Sequence, residues 1–139
     1  MKKGKISINT STFGQFSNEP LKKLIDFGFD IKNNNKGRKL SEQENLDQLM
    51  NCVGVIAGTE IYSDNVITKQ KDLKIISRLG VGIDNIDLDS IKKNKIKLSC
   101  TNTSPSIAVA ELTLGLMLDL LRKISLHNDN MKIKKWSKD

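Results

Sequence analysis

The residues whose types and spacing suit chemistry gather between Leu73 and Leu88, LKIISRLGVGIDNIDL, where an apolar run enters Gly80-Val81-Gly82 and an Asp84-Asn85 turn. Two glycines around one small residue let the backbone approach a ligand without an intervening Cβ. Their N–H groups can hold a carboxylate or phosphate, with Arg78 nearby as a cation. A plain strand-to-helix turn uses the same residues, and spacing alone does not choose between the two. A dinucleotide fingerprint fails here: its third glycine would fall at Asn85, and no acid lies near Leu98 to Thr101 to take its acidic position. The segment that follows, Asp87 to Lys93, is amphipathic and basic, not apolar.

Positioning these residues requires a strand that delivers them. Leu73 to Ser77 reads as a buried strand of a parallel sheet. The glycines then sit at its carboxyl end, where open α/β sheets bind ligands. Further strands are expected at Lys5 to Asn9, Phe29 to Ile31, Gly54 to Ala57 and Ile96 to Cys100. Glu19-Pro20 opens a helix with Leu21, Leu24, Ile25 and Phe27 as its buried stripe, and Gly28 stops it. Ser41-Glu42-Gln43-Glu44 is a capping box for a second helix. Ser63-Asp64 starts a third, running to about Gln70, and a fourth ends near Asn94-Lys95. Five strand–helix alternations with short connections call for parallel strands with helices on both faces. The expected class is therefore α/β, a flavodoxin-like open parallel sheet of about five strands. In that order the loops at Thr10 to Gly14, Gly58 to Glu60 and Gly80 to Gly82 converge at the switch point. The candidate substrate-binding residues are Gly58, Thr59, Arg78, Gly80, Val81 and Gly82.

The carboxyl-terminal segment behaves differently. Ser104 can cap, Pro105 suits a first helical position, and a helix runs to about Lys123. Glu111, Gly115, Asp119 and Arg122 share a sector of roughly 80°, and nearly everything else is apolar. Such a helix is buried on most sides, against a second domain or another copy of the chain; its charges exclude a membrane span. The expected division is a lobe over 1–103 and a crossing helix over 104–139.

Composition narrows the classes further. The net charge of +7 comes from lysines spread along all 139 residues, and few aromatics interleave with them, which argues against nucleic acid. Cys52 and Cys100 lack metal-type spacing and read as buried thiols of a reducing cytoplasm. Met1 to Lys5 is basic without the apolar stretch of a signal peptide. His127 reads as a surface histidine, and Trp136 as an anchor for the terminal turn.

Taken together, the residues resemble the amino-terminal half of the D-isomer-specific 2-hydroxyacid dehydrogenases, most closely the phosphoglycerate-dehydrogenase-like branch. The blocks that carry the resemblance are Gly37 to Ser41, Gly54 to Glu60, Leu73 to Leu88 and Val109 to Met117. The resemblance implies an NAD-dependent enzyme that moves a hydride between the nicotinamide and C2 of a small 2-hydroxy acid. It implies that this chain is the substrate-binding lobe and that the Gly80-Val81-Gly82 loop holds the substrate carboxylate through backbone N–H groups. Val81 would also face the nicotinamide, and the Pro105 to Lys123 helix would cross into the cofactor domain.

Three departures qualify this expectation. The chain stops at Asp139, where the cofactor domain would begin. The dinucleotide loop and the family's catalytic arginine, glutamate and histidine therefore have no counterpart, and His127 does not match that histidine. No catalytic residue is expected in this chain; NAD is expected only with the missing domain, and the chain is expected to be inactive alone. Gly58 stands where many phosphoglycerate enzymes carry an arginine, which argues against a phosphorylated substrate. The loop Asn102 to Pro105 is shorter than usual, in a region that often lines the substrate cleft. The expected partners are a small 2-hydroxy or 2-oxo acid, together with a cofactor-binding domain, a partner chain or self-association through the Pro105 to Lys123 helix. The alternative is a non-catalytic module of the same fold that holds a small carboxylate. A phospho-receiver domain of similar topology wants an acidic pair where Asn9-Thr10-Ser11 stands.

Overall fold

The computed structural model describes residues 3–103 and 105–136, so the cap expected at Ser104 lies outside the described residues. The chain divides into two units, 1–102 and 103–139. In the first, strands β1 (Lys5–Ile8), β2 (Asp30–Asn33), β3 (Gly54–Ala57), β4 (Ile75–Arg78) and β5 (Lys97–Cys100) form one sheet in the order β2-β1-β3-β4-β5. Every neighbouring pair is parallel, as expected of an open α/β sheet whose strands are joined through helices.

The connecting helices are α1 (Glu19–Asp26), α2 (Glu42–Leu49), α3 (Asp64–Thr68) and α4 (Leu88–Lys93). Their starts are set by side chains that satisfy otherwise unpaired N–H groups. Ser41 and Glu44 form the expected reciprocal capping box on α2. The Ser63 hydroxyl accepts from Val66 N at 3.3 Å, and Asp87 Oδ1 accepts from Ser90 N at 2.9 Å. These caps end the loops after β3 and β4 at defined points along the sheet's carboxyl edge. The core beneath them joins Val55, Ala57 and Ile76 of the strands to Leu49, Val66, Ile67 and Ile91 of the helices, with Tyr62 and Ile86 from the loops.

Several boundaries differ from the sequence expectation. Strand β4 begins at Ile75 and runs to Arg78, because Arg78 pairs with both Ala57 and Cys100. Ile25 and Phe27 are exposed, leaving Leu21 and Leu24 as the covered side of α1. Cys52 is buried, and burial raises its thiol pKa, but Cys100 lies exposed on the edge strand β5.

The second unit corrects the fold expectation. Helix α5 (Ser106–Arg122) occupies the segment where one apolar crossing helix is expected from Pro105 to Lys123, but it does not stand alone: a second helix, α6 (Ile124–Lys132), follows it directly. Among the described residues no helix is long and apolar enough to cross a membrane. Lys123 takes a left-handed conformation with φ of 50°, and Asp119 accepts from both the backbone N–H and the hydroxyl of Ser125, at 2.6 and 2.9 Å. Those contacts end α5 and turn the chain directly into α6. Neither helix has a buried residue. Trp136 is 73% exposed and does not serve as the expected anchor.

Candidate functional site

Strands β1, β3 and β4 end side by side. The ladder continues one step past β1 and β4, with Asn9 N donating to Ile56 O at 3.0 Å and Leu79 N donating to Ala57 O at 2.9 Å. Beyond these bonds the chains part and leave a cleft of about 320 Å³, lined by Asn9 to Thr12, Arg38, Lys39, Gly58 to Glu60, Arg78 and Leu79. The structure thus brings Gly58, Thr59 and Arg78 into one cleft. Gly80, Val81 and Gly82 follow Leu79 and are not part of its lining.

The three backbone N–H groups of the glycine loop are not equivalent. Gly80 N donates to Thr101 Oγ1 and to Arg78 O, each at 3.1 Å, and Gly80 O accepts from Thr101 N at 3.1 Å. Gly80 has φ of +143°, which favours glycine, and a Cβ there would stand 2.6 Å from Arg78 Nη1. Gly80 is therefore required for the path of the loop, and its N–H is engaged within the fold. Among the described residues the N–H groups of Val81 and Gly82 have no hydrogen-bond partner, and Val81 is 49% exposed. Arg78 folds back over the loop, with Nη1 donating to Leu79 O, while its buried Nε lacks a partner.

Asn85, four residues on in sequence from Val81, ties this loop to the one after β3. Its Nδ2 donates to Glu60 O at 2.6 Å and to Gly58 O at 3.2 Å, and its carbonyl accepts from Tyr62 N at 2.8 Å. Behind the loops runs a buried polar chain. Ser7 Oγ donates to Asn9 Oδ1 at 2.6 Å, and Asn9 Nδ2 donates to Asn45 Oδ1 at 2.7 Å and to Tyr62 OH at 3.0 Å. Asn45 Nδ2 completes the chain at Ile61 O, 2.7 Å away. Buried polar groups are retained only where their bonds are made, and here they are shared between β1, α2 and the loop after β3. Burial, reinforced by the nearby Glu60, raises the Tyr62 pKa, so its hydroxyl stays protonated.

Glu60 stood in a loop that the sequence reading placed at the switch point, but it was not assigned to the site. Its side chain is drawn into the cleft wall, and the residue is 3% exposed. Oε2 accepts from Gly58 N at 3.0 Å, and a Cβ on Gly58 would lie 2.8 Å from that oxygen. The signal was present in the spacing: a carboxylate two residues after a glycine, at the carboxyl end of a strand. Arg38 and Lys39 were not assigned to the site either, because they precede α2 and do not follow β1, β3 or β4. Arg38 reaches Glu44 through two bonds of 2.8 Å, which hold the Glu44 carboxyl well below the usual range. Among the described residues no group of His, Cys, Asp and Glu could hold a metal ion.

The described residues thus form an open parallel α/β lobe with a polar cleft and unpaired N–H groups at the end of a central strand. The comparisons agree with that class. The catalytic-domain family of D-isomer specific 2-hydroxyacid dehydrogenases matches residues 11–136, and the chain belongs to this family. It is 36% identical over 103 residues to D-3-phosphoglycerate dehydrogenase of Sus scrofa, covering 73% of this chain and 19% of that enzyme. The chain thus spans about a fifth of the length of that curated relative. Among solved structures, the TT0316 protein from Thermus thermophilus is similar with a TM-score of 0.82 at 23% identity, over 97% of this chain and 42% of that one. The NAD+-bound 3-phosphoglycerate dehydrogenase of Entamoeba histolytica is similar with a TM-score of 0.70 at 25% identity, over 84% of this chain and 38% of that one.

Proposed function

We propose that this chain is the substrate-holding portion of an NAD-dependent oxidoreductase that acts on the CH–OH group of a small 2-hydroxy acid. The observation that carries the reading is the pair of unpaired N–H groups at Val81 and Gly82, beside a polar cleft in a member of this family. Backbone N–H groups fixed at a strand end bind a carboxylate without having to be ordered first. The substrate's carboxylate sits on Val81 and Gly82, Gly80 shapes the loop, and the substituent on C2 extends toward Gly58, Thr59 and Arg78. The described residues do not form a dinucleotide bed. Val81 is the one residue assigned to the nicotinamide, and the remaining cofactor contacts belong to a separate NAD-binding domain toward which residues 104–139 lead.

The role of this lobe is to hold and orient the acid so that C2 is presented to chemistry supplied elsewhere. The unpaired thiols Cys52 and Cys100 support a cytoplasmic location. The test is hydride transfer, followed at the nicotinamide absorbance, by the full-length product of the gene with D- and L-enantiomers of small 2-hydroxy acids. Turnover of the D-enantiomers is expected. Binding of a carboxylate at Val81 and Gly82 with no turnover under NAD or NADP would favour a non-catalytic carboxylate-binding module.

A further inference from the structure

The cleft contains one acidic side chain, which the reading above leaves without a role. Glu60 is almost completely buried, yet among the described residues only one of its oxygens, Oε2, has a hydrogen-bond donor. Arg78 Nε is the one buried side-chain atom without a partner among the described residues, so Oε1 is open to solvent in the cleft, and a ligand that displaces that solvent must serve it instead. The missing Cβ at Gly58 leaves room for this arrangement. The position that atom would occupy is 2.8 Å from Oε2 and 3.3 Å from Oε1, so the carboxylate lies flat against the backbone of the cleft wall. Two of the three cations lining the cleft are occupied elsewhere. Arg38 is held by Glu44, and Arg78 is folded onto Leu79 O.

We propose that Glu60 is a specificity-determining residue, whose Oε1 accepts a hydrogen bond from a hydroxyl or ammonium group on the C3 side of the bound 2-hydroxy acid. The inference rests on the proposed function, since it needs the acid's carboxylate on Val81 and Gly82. The favoured substrates are 2-hydroxy acids with a hydrogen-bond donor on C3. An alkyl group would leave Oε1 unserved, and a phosphate would be repelled by it. A site built to bond a polar group discriminates strongly against the analogue that lacks it.

The experiment is an NMR titration of the ¹⁵N-labelled chain with four acids that share one core: D-lactate, D-glycerate, D-isoserine and D-3-phosphoglycerate. The amides of Val81 and Gly82 report on the carboxylate, and the amide of Gly58, bonded to Glu60, reports on the substituent. D-glycerate or D-isoserine is expected to bind at least about tenfold more tightly than D-lactate and to shift Gly58 as well as Val81 and Gly82. The stronger of the two identifies the donor as hydroxyl or ammonium. In Glu60→Gln, whose amide oxygen can still accept from Gly58 N, the preference for the stronger acid should fall to within about threefold. The comparison within the unaltered chain stands even if that variant misfolds. Equal binding of D-lactate and the two donor-bearing acids overturns the role of Glu60 while leaving the carboxylate site intact. Tightest binding of D-3-phosphoglycerate, or an unchanged preference in Glu60→Gln, overturns it equally. No response at Val81 and Gly82 with any acid overturns the carboxylate site, and the role of Glu60 with it.

Discussion

Glu44 shows how much one side chain can organise. It closes the capping box at Ser41, accepts two bonds from Arg38, and lies 2.8 Å from Lys36 Nζ. The bonds from Arg38 lower its pKa most, followed by those from Lys36 and the Ser41 backbone. A carboxyl whose pKa is lower in the folded chain than in the unfolded one stabilises the fold above the ordinary glutamate range, and that contribution disappears as pH falls through its folded value. Stability measured by denaturant unfolding should therefore decline on acidification below the usual carboxylate range, and Glu44→Gln should flatten that decline. Solvent screening at this exposed cluster keeps the effect small. The capping box was legible from Ser41 and Glu44 at their spacing of three. The bond to Arg38 was not, because it depends on how the loop before α2 folds back.

At the scale of elements, the glycine loop and the strand before it carry the proposed carboxylate site. Gly80 has a φ of +143°, so Gly80→Ala meets backbone strain, while the Arg78 guanidinium, the far end of a flexible side chain, can swing away from the new methyl. A loss of about 1–3 kcal/mol is expected, read as a lower midpoint in thermal or denaturant unfolding. A shift of less than about 0.5 kcal/mol would show that the loop relaxes freely. The order of elements was legible because strand and helix periods alternate cleanly and turn residues mark the joints. The division of labour within Gly80-Val81-Gly82 was not legible. It depends on Thr101, 21 residues further on, taking up the Gly80 N–H across the β4–β5 pair. Glu60 escaped notice for a similar reason, since its burial follows from a backbone contact that composition does not reveal.

On the scale of the whole molecule, the second unit is where exposed apolar surface gathers. Leu112, Leu114, Leu116, Leu120 and Leu121 of α5 are exposed, and α6 buries none of them. Exposed apolar surface of this extent marks an interaction face. The chain should self-associate in sedimentation velocity as concentration rises, and Leu116→Lys with Leu120→Lys should return it to monomer. A monodisperse monomer at high concentration would contradict this. The apolar character of the segment and its end at about Lys123 were legible in the sequence, but the immediate restart as α6 was not, because a lysine in a left-handed conformation has no distinctive signature. The first unit is a contrasting case. Its buried polar chain from Ser7 through Asn9, Asn45 and Tyr62, with Asn85 clasping Gly58 and Glu60, ties the cleft's loops to one another and to the sheet. The lobe therefore behaves as an anvil and not a jaw: the entropy of arranging its loops is lost during folding, before any acid arrives. Ligand capture by this lobe should be a single fast step with no slow rearrangement, and the free and occupied backbones should superpose to within about 1 Å.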